Sequence, residues 1–129
     1  NVLLKDAKVE DVMSKTVTTV TPETPLMDLV RTMYTTKHLG YPVIENDTIV
    51  GMVTLDDVHK ISDEQRETGQ VKDVMTHEVV TLPPSAPLVD ALRVMSTRNI
   101  GRIPVVKDGV LVGIVTRTDI MRLMELREG

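Results

Sequence analysis

The feature that most constrains this chain is that it is one unit written twice. Shifted by 62 residues, positions 9–61 align with 71–123 without a gap, and 20 of the 53 aligned positions are identical. The identities include Asp11-Val12-Met13 with Asp73-Val74-Met75, Pro25-Leu26 with Pro87-Leu88, and Pro42-Val43 with Pro104-Val105. Gly51, Val53, Thr54 and Asp57 recur as Gly113, Val115, Thr116 and Asp119. So long an ungapped match marks an internal duplication, and the repeat must be read before any element is assigned. A unit of about 50 residues buries too little surface to stand comfortably alone. The two copies are therefore expected to fold together.

Each copy reads as helix, strand, helix, strand, strand, helix, an α/β (α+β) order. Residues 9–13 look like a short helical turn, and the β-branched run 17–20 reads as a strand that stops at Pro22. Thr24-Pro25 offers a capping residue followed by proline at the first helical position. Leu26, Leu29, Val30 and Met33 then follow at helical spacing, a single apolar stripe. Residues 41–44 and 49–53 read as strands around Asn46-Asp47; the second copy has Asp108-Gly109, a stronger hairpin signal. Residues 55–61, and 117–123 in the second copy, turn back into helix. The expected division is repeat 1 at 9–61, a polar linker at 62–70 and repeat 2 at 71–123. Packed sheet to sheet about a pseudo-two-fold axis, the repeats would create two equivalent clefts, where ligands tend to bind.

Composition narrows the chemistry. There are two Tyr and no Phe or Trp, which argues against base-stacking platforms and methyl-lysine cages. The core must be aliphatic, and a ligand could still lie between such side chains. Without cysteine there is no disulfide framework, thiol nucleophile or Cys-based zinc site. No apolar run approaches the ~20 residues of a membrane span, so no membrane is expected in this segment. A net charge of −4 offers no general attraction to nucleic acid. The chain opens with Asn1 rather than Met, which leaves room for it to be a piece of a longer protein.

Three landmarks recur in order and in register. They are Asp-Val-Met followed by Val-x-Thr, the apolar-Pro-Val of Tyr41-Pro42-Val43 and Ile103-Pro104-Val105, and Gly-x-Val-Thr-x-x-Asp at 51–57 and 113–119. Together they resemble a tandem pair of cystathionine β-synthase (CBS) domains, a Bateman module, over residues 9 to 123. The resemblance implies a regulatory, non-catalytic sensor of adenosine compounds: AMP, ADP, ATP or S-adenosylmethionine. It implies a homodimer that biases an attached or separate enzyme, transporter or protease. It also implies that Thr and Asp of the last motif hold ribose and phosphate. Backbone of the first strand and of the segment before Pro-Val would hold the base, each cleft drawing on both repeats.

The same Thr-x-x-Asp spacing is also a helix capping box, and the two readings are compatible. A helix N-terminus presents free N–H groups to an anion, and a carboxylate is a natural acceptor for two vicinal hydroxyls. The copies differ electrically. Residues 9–61 carry four Lys/Arg against eight Asp/Glu, whereas residues 71–123 carry seven against five. One cleft is expected to use Thr116, Asp119, Arg102, Arg117 and Thr118, beside Ile103, with base contacts near Thr18, His38, Leu39, Gly40 and Tyr41. It should favour a phosphate. The other is expected to use Thr54, Asp57 and Asp56, with base contacts near Val80 and Ile100, and to prefer a less charged adenosine compound. The bland alternative is that Arg102 and Arg117 are solvated surface charges.

Nothing else suggests catalysis. His38, His59 and His77 lack metal-ligand spacing, and no serine sits in a nucleophile motif. Met27, Met33, Met52, Met75 and Met95 fall on apolar positions as core filler. Ile120, Leu123 and Met124 share one face of the last helix and could serve a dimer interface. The rival readings are a ligand-free dimerisation scaffold and the regulatory part of a larger enzyme, such as an IMP-dehydrogenase-like protein or a membrane metalloprotease. Cytoplasm, or the cytoplasmic part of a membrane protein, is the expected location.

Overall fold

The computed structural model describes residues 5–128, with side chains described as far as Leu126. The chain forms two compact units that do not follow the repeat boundaries. One comprises Thr18–Val79, the other Asn1–Val17 together with Val80–Gly129. Each unit thus holds the body of one repeat and the opening segment of the other.

In the unit Thr18–Val79, helix α1 (Leu26–Thr36) is followed by strands β1 (Gly40–Glu45) and β2 (Thr48–Thr54), then by helices α2 (Leu55–His59) and α3 (Asp63–Thr68). A 3-10 turn at Val71–Asp73 completes it. In the other unit, a 3-10 turn at Val9–Asp11 accompanies α4 (Leu88–Arg98), β3 (Arg102–Lys107), β4 (Val110–Thr116) and α5 (Arg117–Glu128). Each sheet is an antiparallel hairpin pair, β1 with β2 and β3 with β4. Both hairpins turn through positive φ: Asn46 at 52° and Asp47 at 63°, Asp108 at 52° and Gly109 at 80°. This is the backbone that Asn-Asp and Asp-Gly tolerate.

The cores are aliphatic, as the composition requires. In the first unit Val20, Leu26, Leu29, Met33, Tyr41, Val43, Val53, Val58 and Val71 are buried together. In the second, Val9, Leu88, Ala91, Met95, Ile103, Val105, Val115 and Ile120 play the same part. Val71 and Val9 are the exchanged members, each donated by the opening segment of the other repeat. The exchange explains the glycines of the last motif. A Cβ on Gly113 would lie 2.6 Å from Met13 Sδ and 2.8 Å from the Ser14 carbonyl oxygen. One on Gly51 would lie 2.9 Å from both Met75 Sδ and the Thr76 carbonyl oxygen. Main-chain bonds run through the same contacts, from Ser14 N to Ile114 O (2.8 Å) and from Met52 N to Thr76 O (2.9 Å). Asp11 and Asp73 tie off the 3-10 turns, their Oδ2 atoms accepting from Lys8 N and Gln70 N at 2.8 Å.

Several expectations are corrected. Residues 17–20 do not form a strand; pairing shrinks to one parallel bridge, Val20 with Val43, matched by Leu82 with Val105. Val20 N donates to Pro42 O (3.1 Å) and Ile44 N to Val20 O (2.8 Å). Extending the ladder one step back requires an N–H at Pro42, and one step forward an N–H at Pro22, and proline has none. Pro104 and Pro84 clip the second copy in the same way. Thr24 does not cap α1, whose preceding residue is Pro25. Its hydroxyl instead accepts from Thr21 N at 2.9 Å, while Leu26 N is satisfied by Gly69 O at 3.0 Å. Finally, residues 62–70 are not a plain linker. Ser62 caps α3, Gln65 N donating to its hydroxyl at 3.2 Å and its own N–H donating to Gln65 Oε1 at 3.0 Å. The helix expected over 55–61 ends at His59, because Arg66 of α3 takes the carbonyls of Val58 (2.8 Å) and Ile61 (2.9 Å). Among the described residues its counterpart α5 meets no such clamp, and it runs on past position 123 to Glu128.

Candidate functional site

The Thr-x-x-Asp turns sit where each hairpin passes into a helix. Thr54 N donates to Asp57 Oδ2 (2.8 Å), and Asp57 N donates back to Thr54 Oγ1 (3.3 Å). Thr116 and Asp119 repeat the arrangement with both distances at 3.1 Å. The capping box is therefore fully formed in both units. It engages one oxygen of each carboxylate and holds the other, Oδ1, in a fixed direction as a further acceptor. In the second unit Asp119 Oδ1 lies 3.9 Å from Arg122, a loose pair whose cation is largely exposed and which contributes little to stability. The aspartates remain accessible: the Asp119 side chain is 23% exposed.

The segments before the two Pro-Val sequences are tied to these turns. Leu55 N donates to Leu39 O (2.9 Å) and Arg117 N to Gly101 O (2.8 Å). His38, Leu39, Gly40 and Tyr41 thus stand with Thr54, Asp56 and Asp57 in one unit. Ile100, Arg102 and Ile103 stand with Thr116, Arg117, Thr118 and Asp119 in the other. Gly40 is buried, and Tyr41 and Ile103 are 1% and 0% exposed. These three present backbone rather than side chain to any ligand. The Tyr41 hydroxyl donates to His38 O (3.0 Å) and lies 2.6 Å from Thr36 Oγ1, which fixes the bend that carries His38 and Leu39. Arg117 is partly committed, one guanidinium nitrogen donating to Ile100 O at 3.0 Å.

Thr18 and Val80 open the bodies of their units, half-buried and two residues before the single parallel bridges. The prolines that clip those bridges leave their main-chain N–H and C=O groups out of the ladder, in the direction where β1 and β3 carry Pro42 and Pro104. A half-buried peptide group without a ladder partner is a hydrogen-bonding edge. The signal was present in the sequence as Pro22, Pro42, Pro84 and Pro104. Which N–H groups those prolines remove from a ladder depends on the pairing register, which the sequence does not show. Among the described residues no group of three or more His, Asp or Glu side chains is arranged to hold a metal. No helix among them is long and apolar enough to cross a membrane.

Comparison with known proteins gives the family and the fold. The model of the family described as CBS domain matches residues 9–64 and again 71–126. The chain is 37% identical over 117 residues to the inosine-5'-monophosphate dehydrogenase of Methanocaldococcus jannaschii, covering 89% of this chain and 23% of that protein. It is 33% identical over 126 residues to a zinc metalloprotease of the same organism, covering 98% of this chain and 34% of that protein. The chain thus spans about a quarter to a third of these relatives. Among solved structures, the CBS domain pair of protein MJ0100 in complex with 5-methylthioadenosine and S-adenosyl-L-methionine superposes with a TM-score of 0.82. It is 28% identical, with 92% of this chain and 99% of that one covered.

Proposed function

Because the chain belongs to the CBS-domain family, we propose that it is a non-catalytic regulatory module that binds adenosine-type ligands and relays their occupancy to a partner domain or protein. The observation that carries this reading is the duplicated Thr-x-x-Asp turn. Each holds an accessible carboxylate with one oxygen engaged by backbone and the other left out of the capping box, the form suited to accept from a ribose diol. Support also comes from the MJ0100 pair, which is similar to this chain and was solved with two adenosine compounds. Similarity to parts of a dehydrogenase and a metalloprotease supports a regulatory segment of a larger cytoplasmic or membrane-attached enzyme. The relay is a population shift: the ligand favours the arrangement that it binds better, by the difference in affinity and no more.

The two turns are proposed to differ in ligand. Thr116-Arg117-Thr118-Asp119, with Arg102 nearby in sequence to the hairpin start, offers cations and an extra hydroxyl to a phosphate such as that of AMP, ADP or ATP. Thr54-Leu55-Asp56-Asp57 adds a carboxylate instead, and suits a neutral or cationic compound such as methylthioadenosine or S-adenosylmethionine. Calorimetric titration tests this directly. AMP is expected to bind at one site per chain and to lose at least tenfold in affinity in Asp119→Asn, a change that keeps an acceptor for Thr116 N. S-adenosylmethionine should respond instead to Asp57→Asn. Equal response of both ligands to both variants overturns the assignment, and no binding of any adenosine compound favours the ligand-free scaffold.

A further inference from the structure

The two copies hold one equivalent carbonyl oxygen by different means. His38 and Ile100 stand 62 positions apart, in the bends that precede β1 and β3. The His38 carbonyl accepts from the Tyr41 hydroxyl at 3.0 Å. That hydroxyl lies 2.6 Å from Thr36 Oγ1, on a side chain 1% exposed, so it is out of a solute's reach. In the second copy Ile103 and Arg98 replace Tyr41 and Thr36, and isoleucine has no donor to offer. The Ile100 carbonyl is held instead from outside, by a guanidinium nitrogen of Arg117 at 3.0 Å. Arg117 in turn stands where the first copy has Leu55. The exchange is reciprocal: a buried hydroxyl serves this oxygen in one copy, an exposed cation in the other.

Arg117 is exposed, and among the described residues no ion pair includes it. Its guanidinium thus rests on a neutral oxygen at the surface. An anion holds a guanidinium better, by two parallel bonds to charged oxygens. The bend it would leave is lightly held. Asn99 carries φ 53°, and a Cβ on Gly101 would meet nothing within 4 Å. The remaining ties are main-chain bonds, Ile100 N to Met95 O at 3.0 Å and Arg117 N to Gly101 O at 2.8 Å.

We propose that Arg117 is a positioning residue whose guanidinium passes from the Ile100 carbonyl to an anionic ligand group at residues 116–119, relaying phosphate occupancy to the bend 99–101. The inference rests on the phosphate preference proposed for that turn, and adds what the phosphate changes. An adenosine compound without a phosphate leaves Arg117 on Ile100, because a ligand shifts an equilibrium only by its differential affinity for the two states. The first copy has no such relay, since its carbonyl is held whether or not an anion is present.

The test uses the intact chain with AMP, and adenosine as the phosphate-free control. The carbonyl-carbon NMR shift of Ile100 in ligand-free Arg117→Leu, which places the first copy's residue at an exposed position, marks the unbonded state. AMP is expected to move the Ile100 shift of the unaltered protein toward that value, and adenosine to leave it in place. Arg117→Gln keeps an N–H donor but no charge. A purely structural role predicts an unaltered AMP affinity in that variant; the relay predicts a loss of about tenfold with adenosine binding unchanged. An Ile100 shift that AMP leaves in place, one that AMP and adenosine move alike, or an unaltered AMP affinity in Arg117→Gln overturns the proposal. If neither AMP nor adenosine binds, the adenosine reading has failed and inorganic phosphate carries the test. Saturable movement of the Ile100 shift by phosphate then supports the relay, and its absence overturns it.

Discussion

The smallest decisive features are prolines and glycines at matched positions. Pro42 and Pro104 stop a parallel ladder from growing past one residue, and so free the peptide groups of Thr18 and Val80. Pro104→Ala restores an N–H opposite Val80 O. The expected outcome is one extra ladder bond, seen as a slowly exchanging amide at position 104. Its gain of about 1 kcal/mol is partly offset by the loosened unfolded chain, about 0.4–1 kcal/mol. Stability should therefore move little while ligand affinity falls. Hydrogen exchange combined with titration checks both halves of that statement. Gly113 behaves differently, since an added Cβ meets the Ser14 main chain as well as a flexible methionine. Gly113→Ala should cost about 1–3 kcal/mol by overpacking, read as a lower urea midpoint with an unchanged slope. At this scale the residue types were legible in the sequence, because the duplication printed each of them twice. Their reasons were not, because Met13 and Gly113 are 100 positions apart and their contact depends on an exchange that no local pattern encodes.

Among elements, the hairpins and the two long helices were legible, since turn chemistry and a one-sided apolar stripe are local signals. Where elements met through tertiary contacts, the reading failed. Thr24 has the residue type of a cap and sits before a proline, but Gly69 supplies the bond and Thr24 turns to Thr21 instead. The α3 helix was missed although Ser62-x-x-Gln65 spells a capping box, because its polar composition lacks an apolar face. Its one inward contact is the partly exposed guanidinium of Arg66. Arg66→Gln should release the Val58 and Ile61 carbonyls, lengthen or fray α2, and destabilise by about 1–3 kcal/mol, the range for bonds to a charged group. Circular dichroism and chemical denaturation read this effect. Ser62→Ala, which removes only the cap, should cost about 1 kcal/mol. Together they separate the clamp from the helix that carries it.

For the whole molecule, the covalent repeat and the folding unit are different objects, and this yields the sharpest test. Cutting at the repeat boundary separates residues 1–61 from 62–129, so Val71 and Met75 leave the core that they complete, and Val9 and Met13 leave theirs. Cutting at the unit boundary instead keeps residues 18–79 whole, with Val20, Leu26, Leu29, Met33, Tyr41, Val43, Val53, Val58 and Val71 all present. A 62-residue piece is of marginal size, so the comparison rests on order rather than on absolute stability. Residues 18–79 should show a cooperative urea transition and dispersed amide resonances. Residues 1–61, of almost the same length and sharing 44 positions with that piece, should show neither. Adding a synthetic peptide of residues 70–79 to residues 1–61 should restore part of the dispersion, because the peptide supplies Val71 and covers Gly51. If residues 1–61 fold as well as 18–79, the exchanged segments are decoration. The fold then belongs to each repeat separately, and the close approach of Met75 and Thr76 to Gly51 has no bearing on why that glycine is there.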